Sequence, residues 1–92
     1  SDYIDVYYDK KIIGFDKEYS TAFIIPKRTG KAVDRNRIRR WLREDFRKLQ
    51  EAVGVQGGFV IRFKGKTKAV DHPSLSIELK RLFDAVRSNE KK

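Results

Sequence analysis

KRTGKAVDRNRIRRWLREDFRK, residues 27–48, sets both the charge and the architecture of this chain. It carries ten Lys or Arg against three acids, Asp34, Glu44 and Asp45. The rest of the chain holds 12 basic and 10 acidic residues, so nearly all of the +9 net charge sits in this one segment. The pattern predicts a loop over 27–31, with Gly30 as its flexible point, running into a helix that begins around Ala32 to Asp34. That helix continues to about Val53, where Gly54 offers a C-terminal stop. At 100° per residue, Ile38, Leu42, Phe46, Leu49 and Val53 fall within an arc of roughly 80°, an apolar stripe that must pack on something. Asn36, Arg39, Arg40, Arg43 and Arg47 occupy the neighbouring arc of roughly 100°. Arg37 and Lys48 lie on the far side beside Glu44, where i to i+4 pairing is the better reading.

The residue types in the basic arc fit phosphate. Arginine offers a planar fork of donors that matches phosphate oxygens two at a time, and Arg35, Arg39, Arg43 and Arg47 form a row at i+4 spacing. Most charge-rich helices are solvated faces neutralised by acids one turn away. Three acids cannot neutralise ten cations, so the segment reads as a polyanion-binding helix. The preceding loop, Arg28-Thr29-Gly30-Lys31, can aim backbone N–H groups at a phosphate from a helix N-terminus. A nucleotide-hydrolysing loop would need a glycine at position 25 and Ser or Thr after Lys31, where the sequence has Ile25 and Ala32.

Upstream, YIDVYY at 3–8 alternates like a strand, with Tyr3, Asp5 and Tyr7 on one face and Ile4, Val6 and Tyr8 on the other. Lys11 to Phe15 reads as a second strand across a two-residue turn, and Ser20 to Ile25 as a third, closed by Pro26. Downstream, Gly57 and Gly58 precede a strand over Phe59 to Phe63, with Phe59, Ile61 and Phe63 on one face and Val60, Arg62 and Lys64 on the other. Pro73 and Ser74 open a last helix carrying Leu75, Leu79, Leu82, Phe83 and Val86. The expectation is an α+β fold in the order strand, strand, strand, helix, strand, helix. Its single four-stranded sheet carries helices on one face and leaves the other open.

Ninety-two residues make one domain. A sequence pI near 10.0 points to an acidic partner, most often nucleic acid. With no cysteine, disulfides, thiolate zinc sites and thiol catalysis are excluded. No apolar run approaches the roughly 18 residues of a membrane span and no signal pattern opens the chain, so no membrane partner and a cytoplasmic location are expected. Asp5, Asp9, Asp16 and Glu18 lack metal-ligand spacing, and solvated carboxylates are the better reading, so no metal is assigned. His72 has no nucleophile or second His at a recognisable spacing, and it is assigned no catalytic role. Trp41 reads as core at the edge of the stripe.

Gly30-Lys31-Ala32-Val33, Arg35-Asn36-Arg37-Ile38, Arg40 and Leu42-Arg43-Glu44 closely resemble the signature of the bacterial ribonuclease P protein component. The resemblance is strongest over 27–47, and the order of the other elements fits it. It implies a ribosomal-protein-like fold with a left-handed β-α-β crossover. It also implies a protein subunit without catalytic residues, which joins a catalytic RNA and helps it remove the 5′ leader of precursor tRNA. The RNA requires Mg2+, and the protein alone binds no cofactor. Carried over, Lys27, Arg28 and Lys31 match the family's basic loop, and Arg35, Asn36, Arg37, Arg39, Arg40 and Arg43 match its helix. Arg47 joins them by spacing. A leader cleft on the sheet makes Tyr3, Tyr7, Arg62 and Lys64 candidates. Partners are the catalytic RNA and the leader, and the protein is expected to be a monomer. Family members usually begin with a basic and aromatic helix that walls this cleft, whereas this sequence starts with Ser1-Asp2-Tyr3, so weaker leader binding is expected. Asp5 and Asp34 are also unusual for the family. Two other readings compete: a ribosomal or other structured-RNA-binding protein with no part in cleavage, and a DNA-reading helix, which lacks the paired short helices of a helix-turn-helix.

Overall fold

The computed structural model describes residues 3–9, 19–54 and 57–90. Three strands and two long helices follow in the order β1 (Ile4–Asp9), β2 (Tyr19–Ile24), α1 (Ala32–Val53), β3 (Gly57–Phe63) and α2 (His72–Glu90). Single 3-10 turns at Lys27–Thr29 and Thr67–Ala69 precede the helices. The strand expected over Lys11 to Phe15 lies outside the described residues, as do Asp16 and Glu18. The described sheet is therefore three-stranded where four strands were expected. β3 lies in the middle, antiparallel to β1 and parallel to β2. A parallel neighbour requires a crossover, and α1 supplies it.

The boundaries have local causes. Gly54 adopts the left-handed conformation (φ 72°) that ends α1. β2 ends at Ile24, one residue short of the sequence expectation, and Ile25 and Pro26 lead into the first 3-10 turn. α2 starts at His72, with Pro73 in its first turn, where a missing N–H costs nothing. Asp71 caps it: its Oδ1 accepts from Ser74 N at 2.8 Å.

Register sorts the two sheet faces. Ile4 lies opposite Phe63, Val6 opposite Ile61 and Tyr8 opposite Phe59, while Thr21 and Phe23 of β2 lie beside Phe59 and Ile61. These residues face the helices. Ile38, Leu42 and Phe46 of α1 and Leu75, Leu79 and Phe83 of α2 are buried against them. Phe46 is the hub, edge-on to Phe59 at 4.9 Å, Phe83 at 5.8 Å and Phe23 at 6.2 Å between ring centroids. The α1 stripe is thus buried at three of its members, with Leu49 partly buried against the cluster. The opposite sheet face carries Asp5, Tyr7, Ala22, Ile24, Val60 and Arg62. Tyr7 and Ile24 are 55% and 46% exposed, and among the described residues no helix covers this face.

One buried charge joins the layers. Glu78 of α2 is 4% exposed, and its Oε2 accepts from Tyr3 N at 2.8 Å and Ile4 N at 2.7 Å. A carboxylate accepting two backbone N–H groups offsets part of its desolvation cost. It pins the start of β1 to α2.

Candidate nucleic-acid interface

α1 holds the predicted cations on one scaffold but does not treat them alike. Arg35 is half-buried, and its Nε donates to the Gly30 carbonyl at 3.1 Å, fastening the loop to the first turn of the helix. Arg37 is ion-paired with Asp34 at 3.3 Å, and its guanidinium carbon lies 5.3 Å from the Trp41 ring centroid. That pair spans i to i+3 with Asp34 as the acid, where i to i+4 pairing of Arg37 and Lys48 beside Glu44 was expected. Arg47 pairs with Glu51 at 3.3 Å, one turn on. Asn36 accepts from Arg39 at 3.2 Å, a contact that orients Arg39 without neutralising it. Arg39, Arg40 and Arg43 have no acidic partner among the described residues, and Arg40 and Arg43 are exposed. Of the four arginines in the arc, these three are the unneutralised ones. Asn36 lies between them, and Arg47, one turn beyond Arg43, is held by a bond that solvent keeps weak.

The loop is ordered by its own bonds. Thr29 is buried, its hydroxyl donates to the Pro26 carbonyl at 2.6 Å, and its N–H donates to the same oxygen at 3.1 Å. Lys27, Arg28 and Lys31 remain exposed around it. Lys31 occupies the N-cap position of α1 and forms no side-chain cap. The first N–H groups of the helix are left to solvent or a ligand. Gly30 is extended (φ 166°), so its identity is set by space: a Cβ there would overlap the Thr67 hydroxyl.

The edge of the apolar stripe away from the basic arc is aromatic. Trp41 stacks on His72 with centroids 4.9 Å apart and planes 4° from parallel. His72 Nε2 lies 3.0 Å from Asp45 Oδ2, and Ser76 Oγ donates to that same oxygen at 2.5 Å. Trp41 therefore packs against the core, as its position predicts, and His72 ties α1 to α2 through Asp45.

On the open sheet face, Tyr7 projects beside Val60, and Arg62 lies opposite Asp5. Lys64 pairs with Asp5 at 3.1 Å, which removes much of its free charge. Tyr3 stands before β1, half-buried and packed against the core cluster, so it does not share Tyr7's exposure. Tyr7, Arg62 and Lys64 are brought to one face. Sequence reasoning overlooked Ile24, which β2 places on that face beside Arg62. Its position in an alternating strand carried the signal. Among the described residues, no group of three or more His, Asp or Glu side chains could hold a metal ion, and no helix is long and apolar enough to cross a membrane.

A basic arc on the crossover helix, a basic loop at its N-terminus and an uncovered sheet face together suit an extended polyanion. The family model described as Ribonuclease P matches residues 1–87. This chain belongs to the ribonuclease P protein family. It is 32% identical over 83 residues to the ribonuclease P protein components of Thermoanaerobacter sp. (strain X514) and Thermoanaerobacter pseudethanolicus, covering 88% of this chain and 67% of each relative. The solved structure of the Staphylococcus aureus RNase P protein superposes with a TM-score of 0.76 at 18% identity, covering 94% of this chain and 76% of that one. The fold is that of the Staphylococcus aureus protein.

Proposed function

We infer that this chain is the RNA-binding protein subunit of a ribonuclease P ribonucleoprotein and assists its catalytic RNA in removing the 5′ leader from precursor tRNA. Family membership supports the assembly. The observation that carries the role of this chain is the set of unneutralised arginines on the α1 arc, Arg39, Arg40 and Arg43, on the helix into which the basic loop runs. Arginines on a rigid helix position a phosphate backbone without reading its bases. Arg35 and Arg37 act mainly by holding the loop and Trp41 in place, whereas Lys27, Arg28 and Lys31 extend the contact beyond the helix.

In this reading hydrolysis belongs to the RNA and the Mg2+ it requires, and the protein contributes affinity and orientation. The open sheet face is the leader-binding candidate: Tyr7 offers a ring on which an unpaired base can stack, and Arg62 offers charge to its phosphates, with Lys64 beside it held by Asp5. The protein acts as a cytoplasmic monomer.

The test is reconstitution with a ribonuclease P RNA from a bacterial relative. The protein is expected to raise precursor tRNA cleavage at low magnesium. If helix and loop neutralise about six phosphates, log affinity falls with log salt at a slope of roughly −4 to −5. Structured-RNA binding with no stimulation of cleavage would instead favour a module with no part in processing.

A further inference from the structure

Across from the α1 N-terminus lies a second basic element that the sequence pattern did not single out. The connection between β3 and α2 brings Lys66, Thr67 and Lys68 against the loop that precedes α1. The two segments enclose an open hollow of about 390 Å³ lined by Arg28, Thr29, Gly30, Lys31 and Asp34 on one side and Lys66, Thr67 and Lys68 on the other. Four cations thus surround one acid, and Asp34 is already paired with Arg37 at 3.3 Å. Lys66 Nζ donates to the Arg28 carbonyl at 3.3 Å, which draws the two segments together and leaves two of its three donor positions for a ligand. Thr67 is 1% exposed, yet its Oγ1 has no hydrogen-bond partner. That hydroxyl rests against Gly30, in the space a side chain at position 30 would fill. A buried hydroxyl with no partner is costly, and Thr67 lines the hollow, so a turn about χ1 is the way to give that hydroxyl a partner there.

We propose that this hollow is a phosphate seat, in which Arg28, Lys31, Lys66 and Lys68, with the Thr67 hydroxyl turned inward about χ1, hold one backbone phosphate of the catalytic RNA strand docked on α1. The proposal rests on the function inferred above for its choice of RNA, and it adds Lys66, Thr67 and Lys68 to the interface. The α1 N-terminus contributes its uncapped N–H groups and the positive end of its dipole to the same point. The seat extends the α1 contact onto the β3–α2 connection and fixes where the strand crosses the end of the helix.

Two measurements on the full chain test it. Titration with inorganic phosphate, followed by amide chemical shifts, is expected to move residues 29–33 and 66–69 together. Shifts that are absent or spread evenly over the basic surface overturn the seat. K66Q/K68Q is expected to weaken binding to the ribonuclease P RNA roughly tenfold and to make the salt slope shallower by about 1, as loss of one phosphate contact does. K80Q/R81Q, which removes equal charge from exposed positions on α2, is expected to leave both unchanged. Equal losses in the two double variants overturn the proposal. RNA binding lost in R39Q/R43Q but intact in K66Q/K68Q overturns the seat and leaves the proposed function standing. If the wild-type chain does not bind the RNA, the proposed function fails, and the choice of RNA as occupant fails with it. The phosphate titration still decides independently whether the hollow holds an anion.

Discussion

The two helices bury similar apolar stripes in one core, yet they treat their polar groups in opposite ways. α2 closes its own accounts: Asp71 caps its first turn, Glu78 is consumed by two backbone donors of β1, and Ser76 and His72 both reach Asp45 across the interface. α1 leaves its N-terminus without a side-chain cap and three arginines without acids among the described residues. A helix satisfied from within stabilises the fold. A helix left with surplus donors on a rigid support is built to be completed by something else, and its surplus sign says that the missing partner is an anion.

The largest effect should show where the helices are alike. Phe46→Ala on α1 and Phe83→Ala on α2 each open a cavity under the same aromatic cluster, and each is expected to cost roughly 3–5 kcal/mol in denaturant unfolding. A large inequality would mean that the core is not shared.

Glu78→Ala breaks the likeness. It strands the N–H groups of Tyr3 and Ile4, and a loss of roughly 1–3 kcal/mol is expected from the unsatisfied donors. Hydrogen exchange should locate the loss at the start of β1. No change in exchange there would show that α2 does not anchor the strand.

On the outer face the expected effects move from stability to binding. R39Q/R43Q should weaken RNA binding roughly tenfold and reduce the steepness of the salt slope by about 1 to 2, with stability within about 0.5 kcal/mol of wild type. Arg37→Gln should behave differently, costing roughly 0.5–1 kcal/mol through loss of the Asp34 pair and the Trp41 contact while the salt slope changes little. If Arg37 and Arg40 variants prove alike in both measurements, the division of the arc by local pairing is wrong.

This division marks the limit of what the sequence disclosed. The periodicity of Ile38, Leu42 and Phe46 is local and located both α1 and its buried face, and the basic arc followed from the same 100° step. Local patterns also located β3, because Phe59, Ile61 and Phe63 alternate. Pairing was out of reach, since β3 takes an antiparallel partner 49 to 59 positions away and a parallel one 38 away, and no local signal encodes either. The same applies to Glu78, which sits among apolar positions of α2 and looks like a solvated carboxylate until β1 arrives. Gly30 read as a flexible point, whereas its cause is Thr67, a residue distant in the chain. Contacts of this kind depend on the completed sheet, which is why the loop legible as basic was not legible as half of a hollow.

The smallest effect tests the helix ends directly. Asp71 has its carboxyl held below the usual aspartate range by the Ser74 N–H, with the Ser74 hydroxyl adding to the effect. A depressed native pKa means that the cap contributes fully above about pH 3.9, the unfolded value, and that the contribution is lost as pH falls through the native one. α1 has the reverse arrangement, a lysine at the N-cap in extended conformation (φ −70°, ψ 158°), which is the backbone a capping aspartate adopts. Lys31→Asp should therefore give α1 what α2 already has, raising stability by roughly 0.5–1 kcal/mol at neutral pH. The same substitution places a negative charge where a phosphate is expected, so RNA affinity should fall although the protein becomes more stable. A variant that gained stability and kept its affinity would show that the open end of α1 is an imperfection of the fold with no part in binding.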